Sequence, residues 1–174
     1  AIGIGVASSS LLVNPGALSN FLVEADGGGS IGTQTAGTPF NIQITARDAN
    51  NNTVTIYNSA TALSTNAGTI SPTTTGTGFV NGVMSGLSVT LTQAGTLKTI
   101  TATNGSTGTS NTFTVNAGAM TKLVITLPGQ TFTAGTGNSG AVTAQTAGTA
   151  FTIVKLTATD DNFNIITGYS GAKT

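Results

Sequence analysis

The 174 residues contain no cysteine, no histidine and no tryptophan, and a single arginine. Each absence removes a class of chemistry. Without Cys there is neither a disulfide scaffold nor a thiol nucleophile, and without His there is no Ser-His-Asp triad and no zinc finger. Charge is almost as scarce: five Lys plus Arg offset five Asp plus Glu, and together they make up 6% of the chain, against roughly 25% in an ordinary soluble domain. A neutral surface of this kind presents no basic patch to a phosphate backbone or an anionic lipid, so binding to nucleic acid and electrostatic docking to membranes are not expected. Long apolar runs are missing too, so direct membrane insertion is not expected either. The start of the chain lacks the basic region and apolar core of a secretory signal, from which we expect it to begin after processing or to be a fragment.

Small polar residues fill the space. Thr (36), Gly (24), Asn (15) and Ser (14) account for more than half of the sequence. A hydrophobic share of 38% nevertheless separates it from disordered chains, which are hydrophilic and rich in charge.

An internal repeat organises the chain. Val13-Asn14-Pro15-Gly16-Ala17-Leu18 recurs as Val115-Asn116-Ala117-Gly118-Ala119-Met120, and Phe21-Leu22-Val23 recurs as Leu123-Val124-Ile125, both at an offset of 102 residues. Gln34-Thr35-Ala36-Gly37-Thr38-Pro39-Phe40 returns as Gln145-Thr146-Ala147-Gly148-Thr149-Ala150-Phe151 at an offset of 111, which places nine inserted residues in the Gly-rich stretch from Pro128 to Gly140. Ile44-Thr45-Ala46-Arg47-Asp48 then matches Leu156-Thr157-Ala158-Thr159-Asp160 at 112, so one more residue enters the strand and predicts a bulge. A period near 100 residues is a whole domain.

Within the first copy the period is that of strands. Phe40, Ile42 and Ile44 alternate with polar residues, as do Leu87, Val89 and Leu91, then Ile100 and Ala102, then Phe113 and Val115. Asn- and Gly-rich turn signals divide the runs. The strands expected are Leu18–Ala25, Phe40–Asp48, Thr53–Tyr57, Ala62–Ile70, Phe79–Leu91 with a break, Leu97–Thr103 and Thr112–Val115. Seven short strands in about 100 residues predict an all-β antiparallel sandwich, with Phe40, Ile42, Ile44, Leu87, Val89, Leu91, Ile100 and Phe113 facing inward.

The string Ala36-Gly37-Thr38-Pro39-Phe40, the Asp-Asn turn at 48–52, Gly95-Thr96-Leu97-Lys98-Thr99-Ile100-Thr101-Ala102-Thr103 and Ser110-Asn111-Thr112-Phe113-Thr114-Val115 together resemble the bacterial immunoglobulin-like (Big-type) repeat domains of prokaryotic cell-surface proteins. The likeness covers Ala17 to Val115 and then Ala119 onward as a partial copy. It implies an immunoglobulin-like sandwich displayed outside the cell, in a stalk, adhesin, surface layer or filament, with no catalytic residues and no cofactor. On this basis the chain divides into an N-terminal strand segment (1–16), an Ig-like sandwich (17–116) and an incomplete second sandwich (117–174). Lacking the Cys and Trp of antibody-type domains, its core rests on aliphatic packing.

Candidate sites are few. Asp48, Asn50 and Asn52, echoed by Asp160, Asp161, Asn162 and Asn164, alternate oxygen ligands as a calcium loop does, but the bidentate Glu of such loops is missing and turn formation by Asp and Asn accounts for the pattern. Glu24 and Asp26 stand two apart on a strand and point the same way, which makes no sugar-sized cleft between two acids. Lys98 and Lys122 read as outward positions of alternating strands rather than members of a Ser-Lys dyad. Gly27-Gly28-Gly29 is a flexible connection, since no Lys-Ser/Thr pair or helix follows it. Asn51 and Asn104 head sequons in turns and are glycosylation candidates.

At the ends, Ile2, Ile4 and Val6 alternate with Gly3, Gly5 and Ala7, the pattern either of a donor strand that adds to an open sheet edge of a neighbouring subunit or of the adjacent incomplete domain, or of an ordinary strand or frayed terminus of its own unit. Ser10 to Val13 aligns with Thr112 to Val115 as a final strand whose predecessors are missing, while 119–174 holds counterparts of the first three strands only. Continuation of the polypeptide past Thr174 is therefore expected, strands supplied by another subunit being the alternative. The expected role is a non-enzymatic structural module of an extracellular filament, sheath or surface layer, its partners copies of itself in a homopolymer, with glycans on its surface. An adhesin stalk, a carbohydrate- or host-binding module, or a spacer of a larger secreted enzyme is the alternative, which a clustered aromatic platform or a charged loop would favour.

Overall fold

Alternating apolar side chains give each strand one face to bury, and the longest alternating runs form the central ladder. In a computed structural model of the chain, which describes residues 11–170, the first two long strands are β1 (Asn20–Ala25) and β3 (Phe40–Arg47), with the two-residue β2 (Gln34–Thr35) between them. They run antiparallel, Phe21 opposite Ala46 and Val23 opposite Ile44. β3 also pairs with β6 (Val83–Leu91), and β6 with β5 (Ile70–Ser71), giving the order β1-β3-β6-β5. Facing elements form the orders β4-β8-β9 and β2-β10-β7, built from β4 (Ala62–Thr65), β7 (Gly95–Lys98), β8 (Ile100–Asn104), β9 (Ser106–Thr109) and β10 (Phe113–Asn116). The fold is all-β with several mainly antiparallel sheets, as the periodicity predicts; β2 lies parallel to β10.

One core joins these sheets. Ile42, Ile44, Ala46 and Val89 from one side and Ile100 and Ala102 from the other are fully buried. Tyr57 stands edge-on to both Phe21 and Phe79, at 5.4 and 4.9 Å between ring centres, and Phe40 meets Phe113 at 6.3 Å. Of the residues expected inward, six are buried, whereas Phe40 and Leu87 are partly buried at the margin of the core.

Three strands differ from expectation. Thr53–Tyr57 makes a single bridge, Thr53 to Arg47, and then turns, because Tyr57 donates its ring to the core from a loop. Ala62–Ile70 is two strands separated by the Asn66-Ala67-Gly68 turn, where Gly68 takes φ 77°. Leu97–Thr103 breaks at Thr99, and Leu97 is 69% exposed with φ 54°, so it leaves the alternating pattern. The break in Phe79–Leu91 is real: Asn81-Gly82 turns before β6, and a bulge sets Ile42 opposite Leu87 but Ile44 opposite Met84. β2 and β9 have too few alternating residues to be read from the sequence.

The second copy repeats the first ladder in register. β11 (Lys122–Thr126) pairs with β14 (Lys155–Thr159), Leu123 opposite Ala158 and Ile125 opposite Leu156, the same partners as Phe21–Ala46 and Val23–Ile44 after the repeat offsets. The nine inserted residues build a hairpin, β12 (Thr131–Thr133) and β13 (Gly137–Ser139). The extra residue near 154 falls before β14 rather than making a bulge within it. Within 117–170 these two ladders are the only named sheets, so among the described residues the second copy is a partial unit rather than a sandwich. Its inner face stays open, with Leu123, Ile125, Ile153 and Leu156 each at least 38% exposed. Ile2, Ile4 and Val6 lie outside the described residues.

Closure of the first unit depends on one small residue. A Cβ at Gly108 of β9 would overlap the Phe21 carbonyl of β1, so only glycine lets these two strands approach. Gly108→Ala is expected to destabilise the chain by about 3 kcal/mol, the upper range for overpacking, whereas Gly32→Ala, with open space around it, should change stability by no more than about 0.5 kcal/mol. Guanidinium unfolding of the two variants measures both.

Candidate functional site

Where β3 and β14 end, the chain must reverse, and an aspartate organises each reversal. Asp48 is buried, and its Oδ1 accepts N–H groups of Asn50 and Asn52, both at 2.9 Å. Its Oδ2 accepts the Gly16 N–H at 2.8 Å and the Asn52 side-chain amide at 3.0 Å. Asp160 does the same in the second copy: Asn162 and Asn164 N–H groups at 2.9 Å to Oδ1, Gly118 N–H and the Asn164 amide at 2.8 Å to Oδ2. Asn51 and its counterpart Phe163 take φ of 63° and 61°, so the loop backbones coincide as well.

The hydrogen bonds are those of turns built on an aspartate. Both oxygens of each aspartate face N–H donors, which is the environment a carboxylate needs and a cation repels. Asn52 and Asn164 turn their amide nitrogens toward the carboxylates. Of the calcium candidates, Asp48, Asn50 and Asn52 share one turn, while Asp160 lies in a separate turn of the second copy with Asn162 and Asn164. Asp161 is apart from them, its carboxylate 3.2 Å from the Lys122 ammonium.

The two loops differ in what lies beyond them. Asn164 is 2% exposed, and its side chain crosses to the first unit, accepting the Ala94 N–H at 2.8 Å and donating to the Thr92 carbonyl at 2.9 Å. Gly37 leaves room for Asn162 beside it, since a Cβ there would stand 3.0 Å from the Asn162 amide. Gly135, at the turn of the β12–β13 hairpin, sits equally close to Gln93. Two crevices of about 210 and 450 Å³ flank this junction, and the larger is lined by Ala94, Gly95, Val115, Gly118 and Ile165 without an ionisable side chain. In the first unit the equivalent Asn52 is exposed.

The other candidates have structural partners. Glu24 accepts the Gly29 N–H at 3.2 Å and Asp26 the Gly86 N–H at 2.7 Å, so these acids fasten the turn at Gly27–Gly29 and the β6 bulge. Lys98 donates to the Asn66 carbonyl at 3.1 Å, and Lys122 to the Asp161 carbonyl at 2.7 Å while lying 4.5 Å from the centre of the Phe163 ring; neither faces a serine hydroxyl. Asn51 is exposed at a turn tip, as a glycan acceptor requires. Asn104 is not free in the same way, because its amide donates to Ala60 O at 2.9 Å and Tyr57 Oη at 3.1 Å. Gly16, Gly118, Thr92 and Ala94 escaped the sequence reading as site residues, although the recurrence of Gly16 at Gly118, in register with Asp48 and Asp160, was a usable signal.

The Asn52 amide, the Gly16 N–H and the two loop N–H groups hold the Asp48 carboxyl down to about 2 from 3.8, against a smaller opposing effect of burial. Because the folded value is the lower one, the stabilisation from this carboxylate is present above pH 3.8 and is lost as pH falls toward about 2. Asp48→Asn should lack that component, so the stability difference between wild type and variant is expected to be largest above pH 4 and to shrink on acidification, as read by urea unfolding at a series of pH values.

Comparison with protein-family models, with curated proteins and with solved structures found no match to this chain.

Proposed function

We propose that the chain is a non-enzymatic structural module of an extracellular assembly, an element of a cell-surface filament, sheath or surface layer in which immunoglobulin-like units are linked in series. The observation that carries the reading is the junction at Asn164. A short covalent connection, Asn116-Ala117-Gly118, would by itself let two units swing freely, but the buried Asn164 ties the second unit to the first by two part-buried hydrogen bonds. That is how a load-bearing link is built, and it uses side chains that an active site would need free. The strand order β1-β3-β6-β5 opposite β4, β8 and β9 supports the immunoglobulin-like assignment. Aromatic rings support the structural role over the adhesin alternative, because Phe21, Phe40, Tyr57, Phe79 and Phe113 are engaged with one another in the core rather than forming a platform for sugar. Low charge favours contact with like chains, since charge is the usual guard against association through sheet edges.

Asn164→Ala leaves the Thr92 carbonyl and Ala94 N–H without their partner and is expected to cost about 1–3 kcal/mol, together with a broader distribution of inter-unit distances in small-angle scattering. Electron microscopy of native material tests the role itself: ordered polymers or arrays are expected, and isolated stalks carrying a separate globular head would favour the adhesin.

A further inference from the structure

We infer that the β12–β13 hairpin is an interaction surface whose partner is the Gln93 edge of the neighbouring unit, and that Phe163 is the residue that positions it there. The hairpin is the nine-residue insertion of the second copy, and the first unit has only the Gly27–Gly29 turn at that place. Along its strands the hairpin lies on its own unit: Asn138 donates to the Ile125 carbonyl at 2.8 Å and accepts the Thr126 hydroxyl at 2.9 Å, and Lys155 stands 5.5 Å from the centre of the Phe132 ring. Thr126 is next to Ile125 on β11 and so faces away from the open apolar side, which makes the hairpin a cover for the other face of the ladder. Its turn is tied to the Asp160 loop, the Gly135 N–H donating to the Phe163 carbonyl at 2.9 Å.

Phe163 is a poor choice for a turn and a good one for an anchor. It stands where the first copy has Asn51, with φ 61° against 63°. Asn tolerates that left-handed backbone, whereas a bulky aromatic residue adopts it only under strain. The ring is held by its surroundings: the Lys122 ammonium lies 4.5 Å from its centre, and a Cβ at Gly137 would stand 3.2 Å from its atoms. Packing against the hairpin offsets the strain, and the ring in turn fixes the hairpin. In the first unit, without a hairpin to hold, the same position carries an exposed Asn.

The turn so fixed reaches the first unit. Gly135 lies close enough to Gln93 that a Cβ would come within 3.0 Å of its Cγ and Nε2. Gln93 is itself held by Lys98, whose ammonium is 3.4 Å from Gln93 Oε1 and donates to the Asn66 carbonyl. Asn164 meanwhile binds the backbone on either side of Gln93, at Thr92 and Ala94. Loop and hairpin therefore close on one short segment, the loop on its backbone and the hairpin on its side chain. A unit with Asn at the position of Phe163 and no insertion would leave Gln93 uncovered.

The clamp rests on the structural-module reading. The chain has no cysteine, so Gln93→Cys with Gly135→Cys supplies a single pair of thiols at two positions whose approach suits a disulfide. Mild oxidation of the full chain is expected to close that disulfide within one molecule, read as a monomer on a non-reducing gel with the loss of two hydrogen atoms in the intact mass. Free thiols, or products linked only between molecules, overturn the inference. Adding Phe163→Asn to the pair gives the loop the residue that the first copy uses, so circular dichroism should be unchanged while closure slows by about tenfold. If Phe163 served its own turn alone, the same substitution would relieve strain and leave closure as fast or faster, and that result overturns the assigned role. Gly137→Ala, which sets a methyl group against the ring, is expected to slow closure as well, and unaltered closure there counts against the inference in the same way. Failure of closure alongside ordered polymers in micrographs rejects the hairpin contact alone, whereas isolated stalks with closure intact reject the module reading alone.

Discussion

An aspartate that ends a strand and accepts four N–H groups is the constraint on which the rest of this molecule depends. Asp48 reaches back to Gly16, ahead of β1, and forward to Asn50 and Asn52, so one carboxylate fixes both the entry into β1 and the exit from β3. Those are the two strands whose ladder sets the register of the core. A chain with so few charges can use them this way because no other ion competes for the same donors. Each N–H satisfied here would otherwise have to find water at a partly buried corner, which is costly for a backbone group. Asp160 repeats the arrangement with Gly118, Asn162 and Asn164, and adds the step that makes two units one object: Asn164, held in place by its own aspartate, presents its remaining amide valences to Thr92 and Ala94.

Much of this was legible in the sequence, and the part that was not has a physical reason. Period-two alternation exposed the long strands because a half-buried strand writes its burial directly into every second residue, as Ile42 and Ile44 do. Short strands write too little: β2 contributes two residues, Gln34 and Thr35, both polar and held by their pairing with β10. Thr53–Tyr57 misled in the opposite direction. Val54 is buried and Tyr57 packs on the core, yet the burial comes from a loop that folds inward rather than from a pleat. The site was half legible. Asp48 and Asp160 stood out as turn formers, but a carboxylate's donors at Gly16 and Gly118 are 32 and 42 residues away in sequence, beyond any local pattern.

The repeat is more informative than either copy alone, because identical local geometry in different surroundings separates what a segment does for itself from what it does for a neighbour. The Asp48 and Asp160 loops form the same internal bonds, so those bonds need no partner unit. Asn52 and Asn164 also make the same bond to their aspartates. Only the outward contacts differ, since Asn164 is buried on the first unit while Asn52 is exposed. The loop is therefore a preformed connector. Its ordering cost is met within its own unit, and a neighbour gains two directional hydrogen bonds without having to organise the loop that supplies them.

The same reasoning explains how a surface this poor in charge can still be specific. Apolar burial alone is non-directional and would let units slide along one another. Hydrogen bonds to the Thr92 carbonyl and the Ala94 N–H are directional, and their donor and acceptor belong to one amide whose orientation is locked by Asp160. Rotating the second unit would break both bonds together and leave two backbone groups unsatisfied at a contact that buries Asn164. A mistaken docking thus loses more than it could recover from the Thr and Gly surfaces around it, and the relative orientation of consecutive units is selected by that loss rather than by charge complementarity.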